Sequence, residues 1–253
     1  MIHIRNLTKI YGNIVAVNNI NLHVRRGEIF GFLGPNGAGK TTTIKMMAGV
    51  LRPTRGQIVL NGYDVVEHPI LAKRFIGFIP DRPFLYDKLT GLEFMRFISG
   101  LYGMNHDQFD NRAGRLLRLF DLEQWSGELI ESYSHGMKQR LIIASALLHK
   151  PQLIIVDEPL VGLDPRGARM VKDIFHNLSA HNGVTIFMST HTLEVAQETC
   201  HRIAIIQEGS AVAVGTFAEL QEQAGVSNPR LESIFLKLTG GEEMKETLEV
   251  LRD

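Results

Sequence analysis

Eight consecutive residues, Gly34-Pro35-Asn36-Gly37-Ala38-Gly39-Lys40-Thr41, constrain this chain more than any other segment. They fit the spacing G-x-x-x-x-G-K-[ST]. An apolar strand candidate, Ile29-Phe30-Gly31-Phe32-Leu33, precedes them, and a helix candidate, Thr42-Thr43-Ile44-Lys45-Met46-Met47-Ala48, follows. Strand, loop and helix in that order are the setting the pattern requires. The glycines let the backbone turn tightly and approach a ligand with no Cβ in the way. Successive N–H groups then converge on one concavity in front of a helix N-terminus, which is a cradle for phosphate. Lys40 supplies a point charge for β- and γ-phosphates. The Thr41 hydroxyl is expected on Mg²⁺, and Thr42 belongs to the same phosphate-binding set.

A second segment carries carboxylates. Leu153-Ile154-Ile155-Val156 is short and wholly apolar, as in a strand buried on both faces, and it ends in Asp157-Glu158. Asp157 suits a water-mediated hold on Mg²⁺. Glu158 suits a base that orients and deprotonates an attacking water. Taken alone, the pair equally describes a solvated strand end; the phosphate cradle elsewhere in the chain favours the metal and base roles.

Three further segments share one order along the chain. Ser134-His135-Gly136-Met137-Lys138-Gln139-Arg140 precedes the acidic strand, and Val161-Gly162-Leu163-Asp164-Pro165 follows it. His191 comes after the apolar run Val184-Thr185-Ile186-Phe187-Met188-Ser189. From the first strand to about Gly215 the chain resembles the ATP-binding cassette (ABC) ATPases. It lacks the Asn-Lys-x-Asp segment with which GTPases read guanine. The resemblance implies that Tyr11, in Lys9-Ile10-Tyr11-Gly12, stacks on adenine. It implies that Ser134 and Gly136 bind the γ-phosphate held by a second chain, and that Asp164 lies on a loop crossing the dimer interface. His191 would be the switch histidine that contacts the γ-phosphate. The signature is expected to open a helix over Met137–His149 that ends before Pro151. In this signature His135 stands where the family has a glycine and Met137 where it has a glutamine. Asp81 stands where the family usually has the glutamine that reaches metal and lytic water, and as a hard oxygen ligand it is expected at Mg²⁺.

Composition bounds the class. With 253 residues the chain is long enough for a sizeable core. Lys+Arg and Asp+Glu both number 27, so the charge balance argues against a nucleic-acid partner. Arg112, Arg115 and Arg118 share one helical face, which reads as solvated. The single cysteine, Cys200, excludes an intrachain disulfide and reads as a small apolar packing residue. No apolar run approaches the ~18 residues of a membrane span, and the start is not that of a signal peptide, so a cytoplasmic protein is expected.

The expected fold is α/β: a P-loop NTPase core with a mainly parallel sheet, an antiparallel β layer and a helical subdomain. Residues 1–82 and 141–225 are assigned to the nucleotide-binding core and its antiparallel layer. Residues 83–140 are assigned to the helical subdomain carrying the signature, where Phe109, Ala113, Leu116, Leu117 and Phe120 recur at helical spacing. Residues 226–253 are read as a C-terminal helix, striped by Leu231, Ile234, Phe235 and Leu238, and a charged tail. The resemblance implies an ATP- and Mg²⁺-dependent ATPase. It would work as a homo- or heterodimer with a second ATPase subunit and pass its motion to transmembrane permease subunits of an exporter. Such a chain would sit peripherally on the inner face of the cell membrane. Pro83-Phe84-Leu85-Tyr86, near the expected permease groove at Asp81–Leu89, reads equally as a contact or as loop packing. The competing readings are a non-transport cassette ATPase acting on a soluble assembly, or an ATP-binding regulatory module.

Overall fold

The computed structural model describes residues 1–82, 84–226 and 230–240. The chain begins with β1 (Ile2–Tyr11), β2 (Ile14–Val24), β3 (Ile29–Leu33), α1 (Lys40–Met47), β4 (Arg55–Leu60), β5 (Tyr63–Asp64), α2 (Pro69–Lys73) and β6 (Ile76–Ile79). A helical stretch follows: α3 (Gly91–Leu101), α4 (His106–Leu119) and α5 (His135–Ala146). The chain then alternates through β7 (Leu153–Asp157), α6 (Pro165–Asn182), β8 (Thr185–Thr190), α7 (Leu193–Thr199), β9 (Arg202–Gln207) and β10 (Ser210–Gly215), and continues into α8 (Phe217–Ala224) and α9 (Leu231–Leu238).

Two sheets result. One is antiparallel with order β2-β1-β4-β5; the other has order β10-β9-β3-β8-β7-β6. In the second sheet β9, β3, β8, β7 and β6 are mutually parallel, and β10 returns antiparallel along the edge. The hairpin from β4 to β5 turns at Asn61 and Gly62, both with positive φ (48° and 89°), as the tight two-residue turn demands.

The β3, β7 and β8 strands are buried along their whole length, which explains their uninterrupted apolar sequences. Phe30, Phe32 and Phe187 project to one face, where ring centroids 5.7 and 5.3 Å apart join them. There they meet the inward face of the antiparallel sheet (Ile2, Ile4, Leu7, Ile20) and α1 through Ile44, Met46 and Met47. On the other face Ile154, Val156, Ile186 and Met188 pack against α4, α5 and α6. Phe109, Ala113, Leu116, Leu117 and Phe120 are all buried there, as their spacing predicts. Leu231 and Ile234 of α9 dock with α7 and α8 on a third cluster around Leu33, Ile203 and Ile205. Residues 241–253, the charged tail read from the sequence, lie outside the described residues, as does Pro83. Cys200 packs its Sγ against Gly31, and burial pushes its thiol up to about 12. Among the described residues no helix is long and apolar enough to cross a membrane.

Two expectations need correction. The signature helix does not run over Met137–His149 but over His135–Ala146. Ser134 accepts a hydrogen bond from the Met137 N–H (3.2 Å), so helical geometry begins immediately after that cap. Arg112 does not belong to a solvated face: its Nε and Nη2 donate to the carbonyls of Leu148 and Leu147 (both 2.7 Å) and close the end of α5.

A polar knot fixes the start of β6. The His149 ring stacks on Tyr102 at 3.6 Å, and His149 Nε2–H and the Tyr102 hydroxyl both donate to the Ile76 carbonyl (3.0 and 3.1 Å). Burial lowers the His149 pKa to about 4. A histidine depressed in the folded state leaves stability intact above about pH 6.5, where both states are neutral. Stability then falls as the unfolded chain takes up a proton between about pH 6.5 and 4. The full loss is at most ~3 kcal/mol and smaller to the extent that water screens the ring. Denaturant unfolding across that window should show the slope, and His149→Gln should flatten it.

Candidate nucleotide site

The parallel sheet brings the expected residues to one edge. Leu33 lies beside Thr190, Asp157 beside Ser189, and Ile79 beside Val156. The C-terminal ends of β3, β8, β7 and β6 therefore finish together, and the segments after them share one space. Parallel α/β sheets bind ligands at this end because the loops there converge while helix N-termini face the ligand.

The glycine-rich loop follows β3 directly. Gly37 and Gly39 have φ of 84° and 96°, conformations an L side chain resists. Gly39 also lies so close to the Ala16 carbonyl that a Cβ would collide with it. The loop closes on itself through Lys40, whose Nζ donates to the carbonyls of Gly34 (2.8 Å) and Pro35 (3.1 Å). Burial lowers the Lys40 pKa, and the carboxylates of Glu158 and Asp157 oppose that shift.

Across the cavity Asp157 is buried at the end of β7 and accepts a hydrogen bond from the Ser189 hydroxyl. The next residue, Glu158, has φ of 51°, in the left-handed region a non-glycine residue seldom occupies. Its backbone N–H donates to the Ser189 carbonyl (3.2 Å). This turn aims Glu158 Oε1 to within 2.8 Å of His191 Nδ1 and 3.9 Å of Lys40 Nζ. A carboxylate only accepts, so the imidazole Nδ1 carries a hydrogen and donates it to Glu158.

These groups line one cavity of about 370 Å³, formed by Ala16, Asn36, Gly37, Gly39, Lys40, Thr41, Thr42, Asp81, Glu158, Val161 and His191. Ala16 was not singled out from the sequence, and Val161 was named only as the start of the segment that leads to Asp164; as plain apolar residues they carry no chemical signal there. Gly34, Pro35 and Ala38 belong to the same loop. Tyr11 stands at the end of β1, 45% exposed, with the Lys9 ammonium 5.1 Å from its ring centre.

The remaining expected residues do not line this cavity. Ser134 is the exposed cap of α5, with Gly136 in its first turn. Asp164 is the exposed cap of α6, where its carboxylate accepts from the Gly167 N–H (2.6 Å). Within one chain, then, the phosphate cradle gathers Lys40, Asp81, Glu158 and His191, while the signature serine stays apart.

A phosphate cradle at the carboxyl edge of a parallel sheet, faced by a carboxylate and an imidazole, defines a P-loop ATPase. Residues 17–161 match the family model described as ABC transporter. The chain is 37% identical over 225 residues to the linearmycin resistance ATP-binding protein LnrL of Bacillus subtilis, spanning 89% of this chain and 72% of that protein. It is 38% identical over 217 residues to the bacitracin transport ATP-binding protein BcrA of Bacillus licheniformis, spanning 86% and 70%. Among solved structures, an ATP-binding subunit of an ABC transporter matches with a TM-score of 0.89 at 34% identity, covering 94% of this chain and 99% of that one. A dimeric cassette in a post-hydrolysis state, bound to ADP and Pi, matches with a TM-score of 0.79 at 27% identity, covering 85% and 98%. The chain belongs to the ATP-binding subunits of ABC transporters, and it is an ATPase of that family.

Proposed function

We propose that the chain powers a membrane exporter as one half of an ATP-sandwiched dimer. The observation that carries this reading is the separation just described: the cavity holds a cradle, a base and a switch histidine but not Ser134 or Asp164. A helix N-terminus capped by an exposed serine suits an anion, and here it does not line its own chain's anion site. A two-fold pairing, with each signature on the other chain's nucleotide, completes both sites at once.

In this arrangement Tyr11 exchanges its Lys9 contact for the adenine face. Lys40 exchanges the carbonyls of Gly34 and Pro35 for phosphate oxygens. Thr41, Asp157 and Asp81 are hard oxygen donors that fit Mg²⁺, and Ser189 orients the Asp157 carboxylate. Among the described residues no cluster of three His, Cys, Asp or Glu forms a metal cage, so the nucleotide's own oxygens would complete the coordination. Mg²⁺ would neutralise charge that develops between the β- and γ-phosphates. Glu158 takes the proton of the attacking water, and an Nε2–H of His191 donates to the γ-phosphate. Loss of that phosphate removes the group shared by the two chains, so the pair loosens.

The permease would dock near Asp81–Leu89. Phe84 and Tyr86 are 82% and 58% exposed there, a hydrophobic surface beside a residue of the nucleotide cavity. In this reading 83–140 move as the helical subdomain against the core of 1–82 and 141–225, with α5 running across that boundary. The protein then works peripherally, on the cytoplasmic face of the membrane. The names of LnrL and BcrA, which concern an antibiotic resistance and bacitracin transport, support export of such compounds. ATPase activity should rise faster than in proportion to protein concentration, because each site needs two chains. A strictly proportional rise in a chain shown to stay monomeric with Mg-ATP would refute the shared site. Purification from membranes should bring a polytopic protein with the chain, and its absence would refute the transport role.

A further inference from the structure

The signature departs from the family pattern at His135, and the structure assigns that side chain a specific neighbour. His135 is the first residue of α5, directly after the Ser134 cap. Its ring edge, Cδ2 and Nε2, lies against the Cα of Gly162, so close that a Cβ at that position would collide with both atoms. Gly162 has φ of 79°, in the left-handed region that favours glycine. Gly136 also lies near this peptide, since a Cβ built on it would make ordinary contact with the Gly162 carbonyl at 3.5 Å.

Gly162 stands in the loop that joins the two functional ends of its own chain. Val161 donates its N–H to the Glu158 carbonyl (3.3 Å) and lines the nucleotide cavity; Leu163 donates to Leu160 (3.3 Å); Asp164 then caps α6. The His135 ring is thus a spacer between the tip that carries Ser134 and the loop that runs from Glu158 to Asp164. A glycine at 135 would have no side chain with which to make this contact.

We propose that His135 is a positioning residue for ATP hydrolysis, and this rests on the two-chain site argued above. By bearing on Gly162 it sets the distance between the signature tip and the Glu158 loop. In the two-chain site one chain's Ser134 and Glu158 serve the two different nucleotides. This spacer therefore fixes where the chain offers its signature to one ATP relative to where it holds the lytic water at the other. The ring acts through its shape and position and touches no reacting atom.

The test is a double-mutant cycle on the full chain, read as kcat and KM for ATP. His135→Ala should lower kcat about fivefold and leave KM unchanged, since the cradle and Tyr11 are untouched. Gly162→Ala should lower kcat about tenfold or more, because the new methyl drives the ring away. In the His135→Ala background the same Gly162→Ala change should cost far less, because the collision is gone. The residual cost of alanine at positive φ is read separately, as a fall in the urea midpoint common to both backgrounds. Equal cost of Gly162→Ala in both backgrounds, or an effect of His135→Ala on KM in place of kcat, overturns the proposal. Glu158→Gln with Mg-ATP serves as the control. If it forms a two-chain species while the cycle is additive, only the spacer role fails; if it stays a single chain, the shared site fails with it.

Discussion

Glu158→Gln should abolish turnover while ATP stays bound, and a two-chain species should accumulate in Mg-ATP but not in Mg-ADP. The expected fall in kcat is on the order of 10²–10⁴, the usual contribution of a positioned general base. The substitution keeps the size of the side chain and an acceptor for His191 Nδ1, now 2.8 Å from Oε1. It removes the one function an amide cannot supply, acceptance of the water's proton. It also removes a negative charge from the wall that faces the γ-phosphate, which favours the ATP-bound pair over separated chains. Glutamine accommodates the φ of 51° no worse than glutamate does, so the backbone turn after β7 should survive. Rapid-quench ATPase assays and light scattering behind size exclusion would check both halves. Wild-type turnover in the variant would remove Glu158 from the chemistry, and a single-chain peak in Mg-ATP would remove the sandwich.

Lys40→Ala should weaken ATP binding ~10- to 100-fold, the scale set by charge-assisted hydrogen bonds of about 1.5–3 kcal/mol. Lys40 is 6% exposed, and its ammonium serves two sets of partners. It ties the loop through the carbonyls of Gly34 and Pro35, and it offsets the acidic wall, 3.9 Å from Glu158. Alanine leaves Asp157 and Glu158 without that cation, so the cavity becomes less hospitable to a triphosphate, which is itself anionic. Calorimetry with ATP and with ADP would measure the loss. It should be larger for ATP, because the γ-phosphate is nearest the uncompensated acids. Unchanged affinity would contradict the role assigned to the loop.

Local order was legible where one residue's chemistry determines its neighbours' backbone. The run of β7 reads as a buried strand because both faces of that strand are covered. The stripe of α4 reads as a helix because Phe109, Ala113, Leu116 and Leu117 fall on one side of it. The true start of α5 was also legible, through Ser134 as a capping residue, but reading the helix from the signature motif placed it too late. Arg112 was misread because its partners, the carbonyls of Leu147 and Leu148, are 35 and 36 residues away. No sequence pattern announces a side chain that closes a distant helix. The places of Ala16 and Val161 in the cavity escaped notice for a related reason. They shape the cavity by where their elements pass, and their own chemistry is featureless.

What the sequence determined by itself was the phosphate cradle, because glycine's freedom at positive φ and the adjacent Lys40 and Thr41 all act within one turn of chain. It likewise determined the inventory of acids and the histidine expected around a triphosphate. Only the tertiary structure decided that Asp81, Glu158 and His191 face that cradle while Ser134 does not. That outcome depends on the strand order β3-β8-β7-β6 and on its parallel register, which aligns the C-terminal ends of strands far apart in sequence. It depends equally on the left-handed turn at Glu158, and on His135 coming to rest on Gly162. Such contacts arise from packing between distant segments, whose free energy no local pattern encodes.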